Sequence, residues 1–187
     1  METHDNFQNN FSLKGLTSIL IGAYFFIAGY LIKTILDGFL IDNTPFGMLS
    51  VEIIEVFIIV IAFLVFLFSS LALFFSGKRN AKKLEHLFWN GKTKATFRKY
   101  IFGIIILFIS LIILMNQGFI DYLTPTFLII YGALLFVLKD KGRKNLLILC
   151  GLSVLLATMC LLIPTYWSSS LSILGIAHIT YGVVVKN

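Results

Sequence analysis

Apolar residues in this chain do not alternate with polar ones; they come in long runs, at 13–36, 49–76, 100–119, 123–138, 145–163 and 168–185, separated by short polar stretches. Such runs predict helices in lipid, because about 20 apolar residues cross a hydrocarbon core ~30 Å thick. A helix also satisfies its backbone hydrogen bonds internally, which lipid cannot do for it. Six runs without a Pro/Ser/Gly-rich linker predict an all-α polytopic membrane bundle. It would have six transmembrane helices in three hairpins and form a single domain over 1–187. The second run exceeds what a span needs and should tilt or project, whereas the fourth is short and calls for local thinning or snorkelling by Lys139. Composition agrees: with 58% hydrophobic and 13% charged residues, a water-soluble globule would leave large apolar patches uncovered.

Basic residues set the expected orientation. Lys14, the segment 77–99, the cluster Lys139, Lys141, Arg143 and Lys144, and Lys186 fall on alternate connections, with Lys33 on the other side. The opposite connections carry Asp37, Asp42, Glu52, Glu55 and Asp121. Both termini are therefore expected inside, with 77–99 a basic cytoplasmic loop. The first dozen residues are polar and acidic where a secretory leader would be basic, so the first run is expected to be a true span.

The last two hairpins read as parallel copies, Arg98-Lys99 matching Arg143-Lys144, Gly103 matching Gly151, Ser110 matching Thr158 and Tyr131-Gly132 matching Tyr181-Gly182. Small residues also recur at seven-residue spacing: Gly15, Gly22 and Gly29; Ala62, Ser69 and Ser76; Gly103 and Ser110; Gly151 and Thr158; Gly175 and Gly182. That spacing keeps them on one helix face, where close backbone approach supplies the packing that lipid does not drive. Gly132 joins this set of expected packing positions.

The run Gly103-Ile104-Ile105-Ile106, then Leu128 to Gly132, Cys150-Gly151-Leu152, Leu162-Ile163-Pro164 and Tyr181-Gly182 resembles the HdeD-like acid-resistance membrane proteins over about 98–186. The resemblance implies a six-span inner-membrane protein linked to envelope or acid stress, and carries no catalytic motif.

Candidate chemistry is sparse. His4, His86 and His178 have no HxxxH or HExxH spacing, and no phosphate loop or nucleophile elbow occurs, so no metal, cofactor or catalytic residue is expected. Cys150 and Cys160 lie ten residues apart in one run, about 15 Å along a helix and too far for a disulfide. His178 lies inside the last span, three residues after Gly175 and four before Gly182, and an ionisable group there is a candidate for a polar pathway or a pH switch. The plainer account is a packed histidine hydrogen-bonded to a neighbour. Glu52 and Glu55, one turn apart, could draw a cation, or could simply be first-turn acids favoured by the helix dipole behind Ser50 as N-cap.

Within 77–100 a short amphipathic helix is expected, capped by Asn80 and ended by Gly91, with Ala81, Leu84, Leu87 and Phe88 on its apolar side and Trp89 at the interface. Lys78, Arg79, Lys82, Lys83, Lys92, Lys94, Arg98 and Lys99 would then bind anionic lipid of the inner leaflet, although topology alone would also explain them. The net charge of +6 points to this surface before nucleic acid.

Three functions stay open: a non-enzymatic inner-membrane protein of bacterial type with an envelope-stress role, a small transporter or channel, alone or as a homo-oligomer, using His178, and a membrane accessory docking a cytoplasmic defence protein on the basic loop. A wet cavity at His178 would favour transport; a dry seam would favour structure.

Overall fold

A computed structural model describes residues 13, 15–40, 49–83, 87–138 and 146–185. Among these are six α-helices and no strand: α1 (Gly15–Phe39), α2 (Val51–Lys83), α3 (Gly91–Asn116), α4 (Leu123–Val137), α5 (Leu146–Leu162) and α6 (Trp167–Val184). One-turn 3-10 helices, Ile120–Tyr122 and Pro164–Tyr166, open α4 and α6. The protein is an all-α membrane bundle. Of its helical segments, α1, α2, α3 and Ile120–Val137 are long and apolar enough to cross a bilayer, and α5 is a shorter apolar helix. Large side chains such as Phe26, Phe63, Phe102 and Ile148 face outward. Lipid is the environment that suits them.

The chain divides into two compact units, one made of Lys14–Ala72 with Leu171–Asn187 and the other built on Leu73–Ser170. In the second unit α4 packs most extensively on α5 and then on α3. Leu107, Leu128, Leu149 and Ala157 are buried there. The Ser153 hydroxyl of α5 donates to the Leu128 carbonyl of α4 at 2.7 Å. Four residues after Leu128, the bare Cα of Gly132 lets α5 come close: a methyl group there would sit 3.4 Å from the Cys150 carbonyl oxygen and the Ser153 Cβ.

The two later hairpins turn by different chemistry. Gly118, at φ +75°, ends α3 in a Schellman turn, with Phe119 N–H donating to Leu114 O and Gly118 N–H to Met115 O, both at 2.9 Å. Pro164 stops α5 instead, since it has no N–H to continue the ladder and holds Ile163 extended at φ −134° and ψ 90°. Both routes lead into a 3-10 turn closed by a tyrosine, Tyr122 or Tyr166. Counted from those tyrosines, Tyr131 lies nine residues on and Tyr181 fifteen. The two Tyr-Gly pairs thus differ by six residues in their distance along the chain from the turn, and it is the 3-10 turns that mark corresponding points of the hairpins.

The basic segment departs from expectation. Residues 77–83 continue α2 and 91–99 are the first turns of α3, so 77–99 is mostly helix and not a loop. Asn80 lies inside α2 and caps nothing; the cap is Asn90, whose side chain accepts from Thr93 N–H at 2.7 Å, and Gly91 opens a helix where it was expected to close one. The physical reason is propensity. Lys78, Arg79, Ala81, Lys82 and Lys83 are good helix formers, and the single Gly77 costs only about 1 kcal/mol. Leu84, His4, His86, Lys14, Asp42, Lys139, Lys141, Arg143, Lys144, Lys186 and the side chain of Lys83 lie outside the described residues.

Candidate functional site

The candidate site is the contact between α1 and α6, and it begins with glycine. A Cβ on Gly22 would lie 2.8 Å from Ile179 N and closer still to the Gly175 carbonyl oxygen. One on Gly175 would meet Gly22 O at 2.7 Å and Phe26 N at 3.0 Å. One on Gly182 would meet Gly15 O at 2.6 Å and Ile19 N at 2.9 Å. Real Cβ atoms do not approach backbone so closely, so both helices need glycine at these positions. The partners run antiparallel, Gly15 with Gly182 and Gly22 with Gly175, which is the seven-residue periodicity turned into contact. Gly15 carries two further demands: its φ is +46°, and its N–H donates to the Val185 carbonyl at 3.2 Å.

Between the two glycine pairs sit Ser18 and His178, both fully buried. The Ser18 hydroxyl donates to the His178 carbonyl at 2.8 Å, and its oxygen lies 3.3 Å from the ring Nδ1. A hydroxyl has one proton. With that proton on the carbonyl, Ser18 Oγ faces the ring as an acceptor, so the 3.3 Å contact is a hydrogen bond when Nδ1 carries a hydrogen. The ring also lies against Phe25, 5.9 Å between centroids, and Phe25 meets Phe66 of α2 edge-on at 6.4 Å. Ser69, one turn after Phe66, is buried with its hydroxyl unpartnered among the described residues.

The three polar candidates do not converge. Glu52 is exposed and bonded to the Ser50 hydroxyl, and Glu55 is half-buried. Phe66 lies eleven residues beyond Glu55 along the same helix, about 16 Å, so the carboxylates and the histidine are at different depths. Glu52 borders a shallow open recess with Ile53, Val56 and Phe57. The expected packing glycines divide as well. Gly29 is buried in α1, and Gly103 faces the Leu134 side chain, 2.5 Å from where its Cβ would be. Gly151 is exposed with nothing within 4 Å, so it makes no helix contact. Its match to Gly103 in sequence did not carry a match in packing. Cys150 and Cys160 are free thiols, and Cys160 Sγ lies 3.1 Å from the buried Ser170 hydroxyl.

Sequence reasoning missed Ser18, although the signal was there: it follows Gly15 by three and precedes Gly22 by four, the same placing that singled out His178. Compared with protein-family models, curated proteins and solved structures, the chain matches none.

Proposed function

We propose that this is a non-enzymatic, six-span protein of the bacterial cytoplasmic membrane with both termini inside, of the HdeD-like kind, serving the envelope under stress as a packed structural element. The observation that supports a structural role over a pathway is the α1–α6 seam: His178 has no exposed surface and is held by Ser18 between glycine pairs too close to admit a methyl group. A conduit needs space for water beside its polar residue. Here that space is taken by backbone and by Phe25.

The test replaces Ser18 with cysteine in a protein freed of Cys150 and Cys160, then adds small charged thiol reagents from either side of the membrane. The expected result is no modification of the folded protein and full modification after denaturation. Modification from either side would mean that water reaches the seam, and would replace this reading with the transport one.

A further inference from the structure

A second, independent feature lies in the unit built on Leu73–Ser170. Phe74 near the end of α2, Phe97 in α3, and Phe88 and Trp89 between them form one aromatic cluster. Its centroid distances are 5.1 Å for Phe74–Phe88, 4.9 Å for Phe88–Trp89 and 5.4 Å for Trp89–Phe97. Phe74 is one turn before Lys78, and Phe97 adjoins Arg98, so the cluster clasps two basic helix ends beside each other. On α2, Lys78 and Lys82 share a face at i, i+4 with Arg79 alongside; on α3, Lys94 and Arg98 do the same with Lys99. All six are exposed. Trp89 is 44% exposed and Leu87 is 72% exposed, which gives the patch an apolar rim. Between Glu55 and Asp121 the sequence has one acidic residue, Glu85.

We infer that these two helix ends form a cradle for the headgroup of an anionic phospholipid, with Trp89 and Leu87 set into the acyl boundary beneath it. Charge complementarity selects an anion. The exposed indole and leucine, beside a helix that passes from apolar span to lysine without a linker, select one that carries a hydrocarbon tail. Nucleic acid would satisfy the cations and leave the apolar rim in water. The cradle is made by the ends of two spans, so it differs from an amphipathic helix lying flat on the surface. It rests on the bilayer environment and not on the dry seam, so either proposal can fail alone.

The test uses the full-length chain with Trp167→Phe, which leaves Trp89 as the single tryptophan. In phosphatidylcholine vesicles containing a small fraction of brominated lipid, brominated phosphatidylglycerol should quench Trp89 about fivefold more effectively than brominated phosphatidylcholine, the factor expected from one basic residue near an anionic surface. The preference should fall to parity when all six, Lys78, Arg79, Lys82, Lys94, Arg98 and Lys99, are changed to glutamine. Salt at about 1 M should erase it without any substitution, because the screening length shrinks to ~3 Å. Equal quenching by the two lipids overturns the cradle, as does a preference that survives high salt. Displacement of the anionic lipid by an equal phosphate concentration of RNA would reassign the patch to nucleic acid.

Discussion

A glycine in a membrane helix is often read as mere tolerance for small residues, but the glycines here fall into classes that substitution can separate. Gly22 and Gly175 each face the other's backbone, so leucine at either must push α1 and α6 apart, at the cost of about 1–3 kcal/mol typical of overpacked sites or more. Gly151 faces open space. Gly151→Ala should be tolerated or stabilise by up to about 1 kcal/mol, the helix preference of alanine over glycine. Thermal unfolding in one detergent checks the contrast: a destabilised Gly151→Ala, or an unaffected Gly22→Leu, would contradict the seam. Seven-residue spacing alone placed both kinds in one class, because periodicity identifies the face of a helix and not whether a neighbour covers it.

At the scale of the element, the number and type of helices followed from apolar runs, and the main error followed from charge. The cluster of lysines and arginines after residue 77 reads as a loop if charge is taken as a boundary, yet those residues propagate a helix well and simply carry α2 beyond its apolar stretch. The expected cap, Asn80, and the one the structure uses, Asn90, are ten residues apart. Only the chain's reversal between α2 and α3 decides that the second is used. Asn90→Ala should therefore lose the bond to Thr93 and cost about 1 kcal/mol. Asn80→Ala, inside α2, should be neutral or slightly stabilising. Amide exchange in the first turn of α3 is the readout: it should accelerate in the first variant and stay unchanged in the second. The turn chemistry was partly legible too, since Pro164 and Gly118 are strong stop signals, but the 3-10 turn after each is a tertiary outcome with no residue code of its own.

For the whole molecule, the alternation of basic and acidic connections predicts even crossing and a cytoplasmic position for the α2–α3 connection. In a chain lacking Cys150 and Cys160, single cysteines at Asn43 and Gln117 should react with a membrane-impermeant thiol reagent in intact cells, and one at Asn90 should not. Labelling at Asn90 alone would reverse the orientation; labelling at Asn43 and Asn90 together would break the count of spans between them. The site was legible in one half only. His178 stood out because an ionisable side chain in an apolar run is conspicuous, whereas Ser18 was hidden among ordinary small residues until the fold brought the two together across 160 positions of sequence. That separation also sets a schedule. A ribosome adding roughly 5–20 residues per second completes α1 about seven to thirty seconds before α6. Throughout that interval the glycine face of the first helix waits in the bilayer for a partner not yet made. α6 is thus the clasp of its unit, and a chain arrested anywhere before Trp167 would hold α1 with its glycine face unmatched.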